Sequence, residues 1–220
     1  MNILLIGATG FVGKNVLNEL SQRQHTVTAF VRDPAKVPQL PNVKTMTGDV
    51  YDTQAVAQAA KGHDVVLSAF NAGWDNPNLY DDFTRGSKSI EDGVEASGVK
   101  RLIIVGGAGS LYVAPGVQLV DTPEFPSFVP ENIIPGVLAA REALSRIQAN
   151  TVLEWTFVSP PALLLDGERT GEYRLGENDL LMDGDKPASI SVADFAIALV
   201  DEIENANHIK ARFTVATQRT

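Results

Sequence analysis

Apolar runs of four to six residues alternate with helical patterns through the first hundred positions. Residues 3–6 (Ile-Leu-Leu-Ile) predict a buried strand, and Val12, Val16, Leu17 and Leu20 predict a helix directly behind it. Residues 25–31 predict a second strand in which Val27, Ala29 and Val31 alternate, and residues 43–46 a brief third. Asp52 opens a helix carrying Val56 and Ala60. Residues 64–68 give strand four. Leu79, Phe83, Ile90 and Val94 share one face of a longer helix that Gly98 can terminate. Residues 101–105 give strand five.

The pattern then loosens. Val137, Leu138, Leu144 and Ile147 mark another helix, and residues 154–158 a sixth strand. Ser191, three before Asp194, predicts a capping box for a helix bearing Phe195, Leu199 and Ile203, and residues 212–216 a last strand. Continuous apolar strands separated by helices imply an α/β, doubly wound Rossmann fold, a mainly parallel sheet with helices on both faces. One domain over 1–220 suits that length. Two stretches interrupt the alternation and are expected to be substrate-side loops. Residues 112–135 hold five prolines, and 163–187 include turn residues around Gly176, Glu177 and Asn178, read as a small hairpin or loop. Ligands sit beyond the carboxyl ends of strands in such sheets, so long loops there are expected to contact substrate.

Composition narrows the chemistry. There are no cysteines, which removes disulfides, thiolate nucleophiles and Cys-ligated metals together. His25, His63 and His208 lie far apart without ligand spacing, so no metal site is expected. A net charge of −9 argues against a nucleic-acid partner. No apolar run approaches the roughly 18 residues of a membrane span, and the N-terminus lacks the features of a signal peptide. A soluble cytoplasmic protein, monomer or homodimer, acting on a small molecule is the expectation.

Residues 7–13 (Gly-Ala-Thr-Gly-Phe-Val-Gly) lie between the first strand and the first helix. Gly7 permits a tight turn, Gly10 lets backbone approach a diphosphate, and Gly13 lets the helix pack on the strand. Amides from Thr9 to Val12, Phe11 included, would then face the phosphates at the positive end of the helix dipole. The strand-loop-helix context makes the pattern specific for a dinucleotide. Arg32 stands where an acidic residue would read the ribose of NAD. A guanidinium there pairs with a 2′-phosphate, which favours NADP over NAD, and Lys36 can assist. In the alternative, Arg32 is a solvated strand-end charge and Asp33 takes the ribose.

The glycine loop, the Val31-Arg32-Asp33-Pro34 ending and the Gly48-Asp49-Val50-Tyr51-Asp52 segment together resemble the atypical short-chain dehydrogenases/reductases. The closer resemblance is to the NmrA-like and biliverdin reductase B-like group, in particular its NADH-flavin reductase subgroup. It rests on Gly106-Gly107-Ala108-Gly109-Ser110-Leu111, on Val113-Ala114-Pro115-Gly116 and Asp121-Thr122-Pro123, and on the tail around Ser189-Ile190-Ser191 and Asp194-Phe195-Ala196. The resemblance spans essentially the whole chain and implies a strand order of 3-2-1-4-5-6-7. It implies that Asp49 and Val50 lie beside adenine, although Asp49 read alone is a turn or cap residue. It further implies that Ser68, Ala69 and Phe70 pass the ribose-phosphate side. Gly106 and Gly107 then approach the nicotinamide, with Pro160, Pro161 and Ala162 beyond strand six.

Most short-chain dehydrogenases use Tyr-x-x-x-Lys, in which lysine lowers the tyrosine pKa for proton exchange with a substrate oxygen. The residues four positions after Tyr51, Tyr80, Tyr112 and Tyr173 are Ala55, Thr84, Gly116 and Glu177. Alcohol, ketone and sugar-nucleotide epimerase chemistry by that dyad is therefore not expected. Hydride transfer to a flavin escapes the objection, because the product anion is delocalised over the ring and needs mainly ring stacking. Phe70, Trp74, Tyr112, Phe125 and Phe128 are candidate walls, each equally readable as ordinary packing. Ser110 is the polar candidate near the nicotinamide as a donor to substrate, and Tyr112 the second as a proton donor; a Gly-Ser pair is also ordinary loop chemistry. The expected activity is an NAD(P)H-dependent oxidoreductase with flavin as substrate rather than tightly bound cofactor. A non-catalytic NmrA-type redox sensor is the alternative, and an isomerase or reductase for another metabolite a third.

Overall fold

The structure is a computed structural model describing residues 1–218. In chain order it contains β1 (Asn2–Ile6), α1 (Phe11–Gln22), β2 (Thr26–Val31), β3 (Val43–Thr47), α2 (Thr53–Ala60), β4 (Val65–Ser68), α3 (Leu79–Ser97) and β5 (Arg101–Val105). Then follow β6 (Tyr112–Ala114), β7 (Val117–Gln118), α4 (Phe125–Phe128), α5 (Ile134–Gln148), β8 (Glu154–Ser159), β9 (Leu163–Leu165), β10 (Tyr173–Gly176), β11 (Met182–Asp183), β12 (Lys186–Pro187), β13 (Ser189–Ser191), α6 (Val192–Asn205) and β14 (Ala211–Thr217). Eight strands form one sheet in the order β10-β14-β8-β5-β4-β1-β2-β3.

Each expected strand lies in that sheet, and the seven parallel strands stand in the implied order. The apolar runs of β1 and β4 are buried because helices cover both faces. On one face Val16, Leu17 and Leu20 of α1 meet Phe195, Leu199 and Ile203 of α6 over Ile3, Leu5 and Val27. On the other, Val56 of α2, Ile90 and Val94 of α3 and Leu144 and Ile147 of α5 cover Leu4, Ile6, Leu102 and Phe157. α3 ends at Gly98 in the left-handed region, φ +85°, the expected stop.

Several expectations are corrected. Residues 171–185 are not a free loop: Tyr173–Gly176 joins the sheet as an antiparallel eighth strand on β14. The expected bend does follow β10 at residues 177 and 178, and the expected small hairpin forms from β11 and β12, turning at Gly184, φ +64°. Residues 112–135 likewise carry structure. β6 and β7 form a hairpin turning at Gly116, φ +76°, and α4 follows. Pro135 is already within the first turn of α5, where its missing N–H costs nothing. The buried face of α5 is Gly136, Ala139, Ala140, Ala143, Leu144 and Ile147, while Val137 and Leu138 are only half-buried. Half of the capping box forms: Ser191 accepts from the Asp194 N–H at 3.0 Å. The Asp194 carboxylate instead takes the N–H groups of Thr170 and Gly171 at 2.7 and 2.8 Å and the Thr170 hydroxyl at 2.6 Å.

Candidate functional site: a dinucleotide cleft

A cleft of about 450 Å³ lies over the carboxyl ends of β3, β2, β1 and β4, and includes the point where the helices following β1 and β4 pass to opposite faces of the sheet. Its walls bring together Gly7, Thr9, Gly10, Arg32, Asp49, Val50, Ala69 and Phe70, all expected at the site. Gly7 turns at φ +82°, and a Cβ there would lie 2.4 Å from the Ala69 carbonyl oxygen. A Cβ on Gly13 would lie 2.0 Å from the Gly7 carbonyl oxygen. Both glycines are required by the protein's own backbone. Gly10 is not. At φ −79° its Cβ would meet only the Gly7 oxygen at 3.4 Å, so what it keeps clear is the approach to the helix.

That helix end is open. No side chain caps α1 and its first turn holds no acidic residue, so its N–H groups and the positive end of its dipole face the cleft. Phe11 is exposed, with the Lys14 ammonium 5.6 Å from its ring centre, and Val12 packs inward.

The second strand end supplies charge. Arg32 and Lys36 are exposed on the cleft wall, and neither has a carboxylate within ion-pair distance among the described residues. The Asp33 carboxylate accepts from the Ala35 N–H at 3.0 Å, capping the short turn Pro34–Lys36. Asp49 accepts from the Tyr51 N–H at 3.1 Å, the turn role readable from sequence, while also lining the cleft. The helix cap proper is Asp52, which accepts from Gln54 and Ala55.

Tyr51, Asn71 and Ala72 also wall the cleft and were not among the expected contacts. Tyr51 stands edge-on to Phe70 with ring centres 6.1 Å apart, and the Arg85 guanidinium lies 4.2 Å from its centre. Burial, and then the nearby Asp82 carboxylate, raise the Tyr51 phenol above its ordinary value. The signal for Tyr51 was present, since it directly follows the adenine-side segment. Gly48 is glycine because a Cβ would overlap the Phe30 ring at 2.3 Å.

The remaining expected residues lie elsewhere. Ser68 is buried at the end of β4 and shares a small void of about 10 Å³ with Phe70 and Gly106. A Cβ on Gly106 would fall 1.9 Å from the Phe157 ring, whereas Gly107 would make only an ordinary 3.6 Å contact with Ala140. Pro160, Pro161 and Ala162 follow β8 and line no part of the cleft. Ser110 is 3% exposed and lies outside the cleft lining, with its carbonyl and hydroxyl oxygens accepting from Arg212 at 2.8 and 3.1 Å. Tyr112 lines a separate cavity of about 620 Å³ with Val113, Pro115, Asp179 and Leu180, which shares no residue with the cleft. Of the other aromatic candidates, Phe125 is core, while Trp74 and Phe128 are exposed outside the cleft. Among the described residues no group of histidines and carboxylates could hold a metal, and no helix is long and apolar enough to cross a membrane.

A doubly wound sheet with an open helix N-terminus behind glycines, and cations at the next strand end, defines a dinucleotide-binding Rossmann protein. The chain belongs to the NAD(P)H-binding family whose model matches residues 7–203, within the atypical short-chain dehydrogenase, NmrA-like group. It is 37% identical over 221 residues to the uncharacterized protein YwnB of Bacillus subtilis (strain 168), covering 99% of each chain. A solved structure from Bacteroides thetaiotaomicron, provisionally named an epimerase, is 42% identical with a TM-score of 0.90, covering 100% of this chain and 98% of that one. Another from Streptococcus pneumoniae TIGR4, provisionally named an NADH-flavin reductase, is 31% identical with a TM-score of 0.83, covering 99% and 100%.

Proposed function

We propose that this protein is an NAD(P)H-dependent oxidoreductase that prefers NADP(H) and passes a hydride to a flat, conjugated acceptor such as a flavin. One observation carries the cofactor choice: among the described residues Arg32 and Lys36 stand without a carboxylate at ion-pair distance, beside the open end of α1. Two cations left unneutralised in one cleft suit a ligand with one more phosphate than NAD.

The reduced nicotinamide supplies the hydride, two electrons and a proton, and the reduced acceptor takes its second proton from solvent. The protein's own share is to bind, orient and exclude water. The amides of the 7–13 loop hold the diphosphate, Arg32 and Lys36 the 2′-phosphate, and Asp49 and Val50 flank the adenine. Phe70, braced by Tyr51 and by Phe83 at 5.8 Å, gives the cleft a stiff aromatic wall. The lack of Tyr-x-x-x-Lys disfavours the epimerase chemistry that one relative's name suggests. It suits an acceptor whose reduced form is a delocalised anion, as the other's name suggests. A cysteine-free chain fits a cytoplasmic setting.

The test is NADPH oxidation with FMN, FAD, riboflavin and quinones, run beside equilibrium binding of NADP. Turnover with a flavin supports the reading. Binding without turnover across all these acceptors would overturn it and leave a dinucleotide sensor.

A further inference from the structure

Arg212, near the start of β14, is 6% exposed. The other buried or half-buried arginines, Arg23, Arg101, Arg141, Arg146 and Arg174, each reach a carboxylate. Arg212 has none within ion-pair distance among the described residues. Its fork goes to neutral oxygens. Nη1 donates to the Ser110 carbonyl at 2.8 Å and hydroxyl at 3.1 Å, while Nε and Nη2 donate to the side-chain and main-chain oxygens of Asn178 at 3.0 and 3.1 Å. The Tyr112 ring lies 5.7 Å from the guanidinium. Burial lowers its pKa from the ordinary arginine value, a cost that an apolar residue would not carry. What the arginine supplies is a rigid fork spanning two segments distant in sequence.

One segment belongs to the separate Tyr112 cavity, and the other leads toward the cleft. Backbone bonds from Tyr112 to Asn178 at 2.9 Å and from Leu180 to Tyr112 at 2.8 Å continue the clamp. On the other side, residues 106–110 run from the end of β5 to Ser110, and Gly106 shares its void with Phe70, which also walls the cleft. A dinucleotide crosses such a sheet from the second strand over the first toward the fourth and fifth. Its adenine end is fixed here by Arg32 and Asp49, so its other half points to this loop.

We propose that Arg212 is a positioning residue: by clamping Ser110 it sets the loop after β5 at the height where Gly106 and Gly107 receive the nicotinamide half. This rests on the dinucleotide orientation within the proposed function, but not on the identity of the acceptor. A clamp of this kind acts on one half of the ligand alone.

The experiment titrates the whole chain with the tighter-binding of NADPH and NADH, and with the matching fragment that lacks nicotinamide (adenosine 2′,5′-bisphosphate or ADP). Arg212→Met is expected to weaken the full dinucleotide roughly tenfold, the size of one lost charged hydrogen bond, with the fragment changed less than about twofold. The emission of the bound nicotinamide should move toward that of the free coenzyme. Arg212→Lys should restore part of the loss. Ser110→Ala, which keeps the carbonyl acceptor, should show a smaller loss of the same selectivity, and these two variants decide the matter should Arg212→Met fail to fold. Equal weakening of both ligands, or no weakening, overturns the proposal. So does a wild-type protein whose bound nicotinamide emits as the free coenzyme does. A wild type that binds with altered emission yet reduces no acceptor would sink the reductase reading alone.

Discussion

Three glycines in one loop do three different jobs, and a methyl group separates them. At Gly13 the added Cβ meets backbone at 2.0 Å, and the Gly7 carbonyl that it strikes is fixed by the Gly10 N–H at 3.0 Å. Gly13→Ala should therefore cost about 3 kcal/mol of stability, lowering Tm by about 6–12 °C for a chain of this size. At Gly10 the methyl meets only one oxygen at an ordinary distance. Gly10→Ala should cost about 1 kcal/mol or less, as a change at a helix N-cap, yet weaken the dinucleotide by more than about tenfold by occupying its approach. Melting curves and cofactor titrations on both variants check the pair; a Gly10→Ala protein that binds normally would remove the phosphate from this loop. The turn at Gly7 and the close packing at Gly13 were legible in sequence because spacing and context suffice for a loop whose geometry is local. The fate of Ser110 was not, because its partner Arg212 is 102 residues away and nothing near Ser110 announces it.

At the scale of elements, helices and parallel strands followed from periodicity, since each is built from contiguous residues with one dominant environment. The eighth strand did not. Tyr173–Gly176 is a four-residue edge segment, and only its pairing with β14 makes it a strand. The diverted half of the capping box has the same origin: Asp194 finds Thr170 and Gly171, 24 and 23 residues back, in place of its own helix end. A charged cluster nearby joins α1, α6 and the segment before β10. Glu19, 3% exposed, receives Arg169 at 2.8 and 2.9 Å and Arg23 at 2.8 Å, and Arg23 continues to Asp201 and Glu204 on α6 at 2.7 Å. The Arg169 hydrogen bonds foremost, against the opposing effect of burial, hold the Glu19 carboxyl below its usual value. A carboxyl depressed on folding adds stability that is present above its unfolded pKa of about 4.3 and lost as pH falls through the folded value. Glu19→Gln should thus lower Tm at neutral pH, and its deficit relative to the wild-type protein should shrink as pH is taken below about 4. A deficit that stayed constant across the acid range would assign the loss to packing alone.

For the whole molecule, the two faces of the sheet divide the work. The α1–α6 side carries the phosphate loop on a rigid helix, and the α2–α3–α5 side carries Phe70 and the loop after β5. A ligand lying across the switch point touches parts held by both cores, so its binding should be felt as global stability. A ligand that binds only the folded chain, at a hundredfold excess over its Kd, contributes about 2.7 kcal/mol, or about 5–11 °C in Tm for a protein of this length. NADP and NAD at one common concentration should give unequal shifts, NADP the larger, if the 2′-phosphate engages Arg32 and Lys36 as proposed. Arg32→Ala should then reduce the NADP shift to near that of NAD and leave the NAD shift almost unchanged, since the diphosphate and adenine contacts survive. Equal shifts in the wild-type protein would mean that Arg32 is a solvated strand end. Asp33 would then have to leave its Ala35 bond to read the ribose. The glycine loop is the same in either case, so these shifts test the strand end beside it rather than the loop.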